Sequence, residues 1–238
     1  MKSFESILWG FLPKKKRRLL KEILGPLEGR HLDRLMSGSL ELPEYFIKSK
    51  SIFIHIPKTA GTTVWDSCFN ARPAWHTPYD WYHRIAPQQC RDYFTFAFVR
   101  NPWDRCVSAF HYLLDQGAPR RDAEWSEFIR GFSGFESFVT DWLSPENVNK
   151  HLIFTPQYRF ITNKFGVIDL DYIGRFENFS ADMKEVLDRV RVGSKEVESI
   201  LVKNASARGD YRNYYTDKTK AIVGEVYTKD IELFEYSF

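Results

Sequence analysis

Residues 58–63 bring a lysine, a glycine and hydroxyl side chains together directly after an apolar run that ends at Pro57. Backbone N–H groups at the start of a helix form an anion site, because the helix dipole adds positive potential there. Lys58 would add a mobile charge, and Gly61 would allow a close approach of the backbone. The order is unlike the common phosphate loop G-x-x-x-x-G-K-[ST], because here the lysine precedes the glycine. We predict that a phosphate-like group is bound by Lys58, Thr59, Ala60, Gly61, Thr62 and Thr63.

A second candidate anion site lies at Arg100 and Ser108. Arg100 directly follows the apolar run Tyr93–Val99, which is typical of a strand buried on both faces. Ser108 lies eight residues further on, about two helical turns, so both side chains can face the crevice beyond the end of the strand. The residues alone leave a structural alternative open, in which Arg100 pairs with Asp104 or Glu177.

The pattern around these two sites alternates between strands and helices. Strands are predicted from Ser51, at Tyr93–Val99 and at Tyr172–Phe176. Helices are predicted from residue 61 towards the breaker at Pro73, from Pro102 with Asn101 as N-cap, and at Glu124–Arg130, Phe135–Trp142, Ser180–Val192 with Ser180 as N-cap, and Asp217–Glu232. This alternation favours an α/β domain over residues 51–238, with a mostly parallel sheet that helices cover on both faces.

Residues 1–50 are predicted to form a basic, partly helical extension. They contain eleven Lys or Arg and six Asp or Glu, whereas the rest of the chain is slightly acidic. Apolar residues at helical spacing between 14 and 36 predict an amphipathic helix. Such a helix would pack on its own domain or contact an anionic membrane surface through residues 1–36, and both interpretations remain open. The apolar segment before KKKRR is too short to span a bilayer and stands in the wrong order for a signal peptide.

Composition and cysteine spacing exclude several functional classes. With 43% hydrophobic and 16% aromatic residues the chain can bury a large core and is not disordered. Cys68, Cys90 and Cys106 are widely spaced without a C-x-x-C pair, which argues against a disulfide framework or a zinc site and predicts a reducing, cytoplasmic location. Because the basic charge is confined to one short segment, no nucleic-acid partner is expected.

Four segments resemble the carbohydrate sulfotransferase family, of the sulfotransferase family 2 type: IPKTAGTT, FAFVRNPWDRCVSAFHYL, DYIGRFENF, and the closing NYYT with VYTKDIELFEYSF. The resemblance covers about residues 51–238. It implies a P-loop-like three-layer fold and transfer of a sulfuryl group from 3′-phosphoadenosine 5′-phosphosulfate (PAPS), with PAP as product and a carbohydrate or glycolipid hydroxyl as acceptor. By this resemblance residues 58–63 would hold the 5′-phosphosulfate, and Arg100 with Ser108 the 3′-phosphate. Lys58 would stabilise the departing phosphate, and the scheme requires no metal.

An attacking hydroxyl is helped by a general base, which is often a histidine near neutral pH. Related enzymes have a histidine after a short second strand, some twenty-odd residues before the 3′-phosphate arginine. By this resemblance His76, which stands 24 residues before Arg100 and follows Ala74–Trp75, is the predicted catalytic base. His83 is the alternative, and a surface position for His76 in an aromatic-rich loop remains open. The other histidines are predicted to pack or to lie on the surface, with His151 ambiguous: His31, His55, His111 and His151.

Three further positions carry weaker predictions. The segment 204–216 resembles the C-terminal loop that closes over the nucleotide in sulfotransferases, so Ser206 and Arg208 are predicted contacts to the 3′-phosphate or adenine. The Arg-Lys-Gly triplet of that loop is absent, however, and a solvated basic loop is the alternative. Glu177 is predicted to form an ion pair or to orient Arg100 or an acceptor hydroxyl. Gln157 is a candidate contact to the acceptor.

Two other functional classes share the same anion sites. A P-loop-type nucleotide-binding kinase would also use a strand, turn and helix, but the chain has no glycine-rich GKT sequence. A non-catalytic module would bind PAPS or another polyanion and transfer nothing. The lysine-first motif also counts against the kinase, and the non-catalytic module would be favoured only by binding without sulfate transfer to any acceptor.

Overall fold

The computed structural model describes residues 12–20, 31–32, 34, 41–71, 76–115, 122–190 and 209–238. Within these residues three parallel strands form one sheet in the order β1 (Ser51–Ile54), β2 (Phe94–Val99) and β3 (Tyr172–Arg175). The register pairs Ile52 with Thr95 and Ala97 with Ile173. The predicted α/β fold with a parallel sheet is thereby confirmed, and it agrees with the P-loop-like architecture that the resemblance implies.

Helices flank the sheet and fill the connections between its strands. They are α1 (Glu44–Ser49), α2 (Gly61–Phe69), α3 (Tyr79–Ile85), α4 (Pro87–Asp92), α5 (Pro102–Leu114), α6 (Ala123–Arg130), α7 (Phe135–Asp141), α8 (Tyr158–Ile161), α9 (Phe179–Arg189), α10 (Asp217–Val226) and α11 (Thr228–Phe234). Short 3₁₀ turns lie at Val148–Lys150, Phe176–Asn178 and Tyr211–Tyr214.

Two predicted helix boundaries are wrong. Helix α9 begins at Phe179 with Asn178 at its N-cap, so Ser180 is an exposed residue of the first turn and not the cap. The single helix predicted over Asp217–Glu232 is two helices that meet at Tyr227. The Tyr227 hydroxyl donates to the carbonyl of Phe154 at 2.7 Å and is fully buried, so a tertiary contact holds the chain at the break.

The core consists of one cluster around the sheet and one among the helices. At the sheet, Phe53 of β1 stacks on Phe96 of β2 with ring centroids 5.1 Å apart. Among the helices, Phe138 of α7 lies 5.2 Å from Phe110 of α5 and 5.1 Å from Phe154. Because β1 and β2 are buried on both faces, their ends are fixed from both sides and can position side chains rigidly.

The N-terminal segment is helical where it is described, at residues 14–20 and at 31, 32 and 34. Residues 21–30, which the predicted amphipathic helix would include, lie outside the described part of the chain. Helix α1 belongs to the core, because Phe46 is fully buried and stacks on Trp65 at 5.6 Å. A domain boundary after residue 50 stays a prediction. Over the described ranges, every helix is too short or too polar to cross a bilayer.

Candidate active site

The turn after β1 uses backbone conformations that are uncommon outside glycine. Lys58 and Ala60 have φ angles of 70° and 62°. Thr59 is fully buried, and its hydroxyl donates to the carbonyl of Ile56 at 3.0 Å, so this side chain holds the turn together. Helix α2 then begins at Gly61, three residues after Lys58. The first N–H groups of α2 and the Lys58 side chain thus lie at the carboxyl end of β1, as an anion site requires.

The other residues of the turn differ in exposure. Thr62 is exposed in the first turn of α2 and is accessible to a ligand. Thr63 is buried, its N–H donates to the carbonyl of Ala60 at 2.9 Å, and its carbonyl accepts from Ser67. Ala60 is the N-cap residue of the helix and is half-buried. The predicted segment therefore combines residues that shape the turn with residues that a ligand can reach.

Gly61 packs against the imidazole of His55. A Cβ at position 61 would overlap the Nε2 and Cδ2 atoms of that ring. The ring is 7% exposed, and its Nδ1 accepts a hydrogen bond from Trp65 Nε1 at 3.2 Å. His55, predicted to be a packing residue, thus forms the surface against which the anion turn packs.

His76 packs directly against His55. Its ring centroid is 4.2 Å from that of His55, and its Nδ1 is 2.9 Å from the carbonyl oxygen of His55. Because a carbonyl oxygen only accepts, Nδ1 must carry the proton in this contact, and in the neutral ring the lone pair is then on Nε2. This tautomer is the one that a general base needs. The short strand predicted at Ala74–Trp75 lies outside the described residues.

We call each junction of a strand with a helix that forms a candidate anion site a corner: the first corner is residues 58–63, and the second contains Arg100 and Ser108. In the second corner Arg100 lies at the end of β2. Its guanidinium is 6% exposed and lies with its carbon 3.8 Å from the centroid of the Phe176 ring. Asp104 Oδ2 accepts from Nε at 2.8 Å and from Nη2 at 2.7 Å. Nη1 donates to the carbonyl of Lys58 at 3.1 Å and to Ser108 Oγ at 3.3 Å. Asp104 therefore fixes the fork of the guanidinium so that Nη1 faces Ser108 and the first corner.

Two residues that the sequence associated with ligands support the backbone where β2 ends, Gln157 at Arg100 and Glu177 at Asn101. Gln157 is fully buried: its Oε1 accepts from the N–H of Arg100 at 2.9 Å, and its Nε2 donates to the carbonyl of Arg100 at 2.8 Å. Glu177 accepts from the N–H of Asn101 at 2.6 Å and from the Tyr236 hydroxyl at 3.0 Å. Both side chains thus hold the strand end by hydrogen bonds to backbone or to a neighbouring side chain.

Arg105 is a supporting residue that the sequence reasoning missed. Its guanidinium is 2% exposed and donates to the carbonyls of Pro57 at 2.9 Å, Ile153 at 3.1 Å and Thr155 at 2.9 Å. Burial lowers its pKa, and the three carbonyl oxygens offset that cost. The arginine therefore ties the first anion turn to the segment before α8. Its place in the RNPWDR motif, five residues after Arg100, was the available signal.

Tyr112 of α5 is the second residue that sequence reasoning missed. The Lys58 ammonium lies 4.4 Å from the centroid of its ring, which is a cation–π contact. The Tyr112 hydroxyl donates to Asp122 Oδ2 at 3.0 Å, and His151 Nε2 is 3.7 Å from Asp122 Oδ1. Tyr112 thus limits the positions of the Lys58 side chain. Since the contact spans 54 residues of sequence, no local spacing signals it.

The remaining predicted residues are spread over the molecule. His83 is exposed on α3, next to Tyr79, and His111 packs edge to face on Tyr214 at 4.9 Å. Trp81 and Tyr82, two aromatics of the segment around His76, are buried, with 9% and 3% exposure. Ser206 and Arg208 lie outside the described residues, as does Trp75. Among the residues that the structure describes, no three His, Cys, Asp or Glu side chains gather to form a metal site.

Comparison with known proteins gives one family. The model of the family described as "Sulfotransferase family" matches residues 45–237, a range that includes both corners and His76. An uncharacterized protein of Archaeoglobus fulgidus is 27% identical over 142 residues, which cover 59% of this chain and 97% of that protein. No solved structure matches the chain.

Proposed function

The chain belongs to the sulfotransferase family, and we propose that it transfers the sulfuryl group of PAPS to a hydroxyl of a carbohydrate or glycoconjugate. The family makes the chain a sulfotransferase enzyme. The donor and the residue roles are supported by one observation: Arg100 Nη1 contacts both the Lys58 carbonyl and Ser108, which joins the two anion motifs into one site. PAPS has separate anionic groups on the 3′ and 5′ positions of its ribose, so two adjacent cationic sites suit it.

The residues of the two corners would divide the binding of the donor. The start of α2, with Lys58 and the exposed Thr62, would bind the 5′-phosphosulfate through N–H, ammonium and hydroxyl donors. Arg100 and Ser108 would bind the 3′-phosphate, with Asp104 keeping the guanidinium fork in one orientation. The rigid support of Arg100 by Gln157 would keep this geometry fixed between substrate binding and reaction.

His76 and Lys58 would act on opposite sides of the transferred group. His76 Nε2 would take the proton of the acceptor hydroxyl as its oxygen forms the new bond to sulfur. At the same time the bond from sulfur to the phosphate oxygen breaks, and PAP departs with that electron pair. Lys58 would offset the negative charge that develops on this oxygen, as cationic groups do in phosphoryl transfer.

The central test is transfer of labelled sulfate from PAPS to a panel of polysaccharides, oligosaccharides and glycolipids. We expect His76→Ala to keep its affinity for PAP and to lose at least about 100-fold in kcat, since a general base contributes that much or more. His83→Ala is the matched control, because this histidine is exposed on α3 and should keep full turnover. A near-normal rate of the His76→Ala protein would remove His76 as the base.

A second test separates the other functional classes. Lys58→Ala should weaken PAP binding and also lower kcat, because its charge is used before and during the reaction. PAP should raise the Tm of the wild-type protein, whereas ATP with magnesium should not if the lysine-first corner is specific for PAPS. Stabilisation by ATP and magnesium alone would favour a kinase, and binding of PAP without transfer to any acceptor would favour a non-catalytic module.

A further inference from the structure

Two side chains of the N-terminal segment reach the residue that follows His76. His31 is fully buried, and its Nε2 lies 3.2 Å from the hydroxyl oxygen of Thr77. Arg34 Nη1 donates to the same oxygen at 3.4 Å. The His31 ring also packs 5.7 Å from the ring of Trp81 in α3. One threonine hydroxyl is therefore the meeting point of this segment and the loop that carries His76.

The Thr77 hydroxyl is buried, and two of its hydrogen-bond partners come from the N-terminal segment. A hydroxyl group has one proton and two lone pairs, and Thr77 is 2% exposed, so protein groups must supply its partners. Arg34 can only donate, so its contact uses one lone pair of the Thr77 oxygen. His31 Nε2 either accepts the Thr77 proton or donates to the second lone pair, depending on its tautomer, and the two contacts together restrain the orientation of the Thr77 side chain.

Thr77 and His76 are joined by a peptide bond, so this restrained side chain limits where His76 can lie. On its other side His76 is held by the contact of its Nδ1 with the His55 carbonyl at 2.9 Å. The imidazole is thus placed between a contact from the sheet and an anchor from the N-terminal segment. His31 and Arg34 both precede residue 45, where the match to the family model begins, so the anchor lies outside the matched domain.

We propose that His31 and Arg34 are positioning residues for His76, acting through the Thr77 hydroxyl. The N-terminal segment would then be part of the catalytic apparatus, because two of its side chains hold the loop of the base in place. The effect on turnover rests on the proposed role of His76, whereas the effect on the His76 side chain itself does not. The experiment therefore measures both.

The test compares Thr77→Val, Thr77→Ser and His31→Ala in the full chain, with Lys15→Ala as a control at an exposed position of the same segment. Thr77→Val removes the hydroxyl and keeps the shape, whereas Thr77→Ser retains the hydroxyl. The kcat is measured with PAPS as the donor. The rate at which diethyl pyrocarbonate modifies His76 is measured with PAP bound and is followed by mass spectrometry. Tm and PAP affinity are recorded for every variant.

We expect Thr77→Val and His31→Ala to lower kcat by about tenfold, because a misplacement of about 1 Å can cost up to about 100-fold. The rate of His76 modification should rise several-fold in both, while PAP affinity stays within about twofold of wild type. Thr77→Ser and Lys15→Ala should resemble the wild type. The double variant His31→Ala/Thr77→Val should be no worse than Thr77→Val alone, since both changes remove the same contact.

The outcomes separate this proposal from the proposed function. Unchanged His76 modification in Thr77→Val and His31→Ala would overturn the anchor, whatever happens to kcat or Tm. Faster His76 modification with unchanged kcat would support the anchor and instead refute His76 as the base. A loss of Tm without either effect would make the contact purely stabilising and would also overturn the proposal.

Discussion

Replacing Gly61 with alanine would put a methyl group into the space that the His55 imidazole occupies. The added Cβ would overlap the Nε2 and Cδ2 atoms and would lie 2.8 Å from Cε1, whereas carbon atoms in contact are about 3.5–4.0 Å apart. The ring has little room to move, because its Nδ1 is bonded to Trp65 and its centroid lies 4.2 Å from that of the His76 ring. Either His55 or the anion turn must therefore shift.

The expected cost has two parts. Overpacking a filled site costs about 1–3 kcal/mol, and loss of the hydrogen bond between Trp65 and His55 adds about 1 kcal/mol. The free energy of unfolding should thus fall by about 2–4 kcal/mol, which lowers the Tm by about 5–15 °C for a chain of this size. Because the turn and His76 both rest on His55, PAP affinity and kcat should fall as well.

Thermal and urea unfolding of Gly61→Ala measure this cost, with Gly224→Ala as the matched control. Gly224 is inside α10, and a Cβ there would lie 3.4 Å from Trp103 Cζ2, which is ordinary contact. That substitution should stabilise the protein by about 0.5–1 kcal/mol, because alanine favours the helix. In a His55→Ala background Gly61→Ala should cost much less than alone. An equal cost with and without the His55 ring, or a Gly61→Ala protein as stable as wild type, would refute the steric argument.

Substitutions at two further positions test other contacts of the site, and a reactivity measurement tests the burial of the three cysteines. Tyr112→Leu should lower kcat by about two- to tenfold in a PAPS turnover assay, because the ring holds the Lys58 ammonium. Tyr112→Phe keeps the ring and should have a smaller effect. Equal losses of kcat in both variants would contradict a cation–π role. Gln157→Leu leaves the buried N–H and carbonyl of Arg100 without this partner, so the free energy of unfolding measured with urea should fall by about 2–5 kcal/mol. A fall of less than about 1 kcal/mol would contradict the role of Gln157 in supporting Arg100. Burial raises the pKa of Cys68, Cys90 and Cys106 to about 12, so at pH 8 these thiols are almost fully protonated in the native state. A disulfide reagent such as Ellman's should react with them slowly at pH 8 and rapidly after unfolding, and a fast reaction of the native protein would contradict their burial.

Local sequence patterns determined most of the secondary structure. Apolar runs predicted β1 and β2, and a third strand was predicted at Tyr172–Phe176, where β3 lies. The side chain of Asn101 does cap α5, where it accepts from the N–H of Trp103 at 3.1 Å. These features depend on residues close in sequence, through periodicity and capping, so a single sequence contains the information. The break at Tyr227 was missed because a distant contact, the hydrogen bond from Tyr227 to Phe154, competes there with a continuous local helical pattern.

The types of residue needed for the chemistry were also visible in the sequence. The turn at Lys58 and the strand end at Arg100 follow apolar runs, and parallel strands bring their carboxyl ends to one edge of a sheet. The roles of His76, Ser206 and Arg208, the cytoplasmic location and the membrane contact of residues 1–36 stay predictions. Each depends on a ligand, on a partner or on residues outside the described ranges.

Only the tertiary structure decided which of these residues meet and what supports them. The chain separates Arg100 from Gln157 by 57 residues, Pro57 from Arg105 by 48 and His31 from Thr77 by 46. Each of these contacts satisfies buried donors or acceptors between segments that meet only after folding. For that reason Gln157 looked like a ligand contact in the sequence and supports Arg100 in the structure. Residue type and local spacing show what a side chain can do, whereas packing decides which partner uses it.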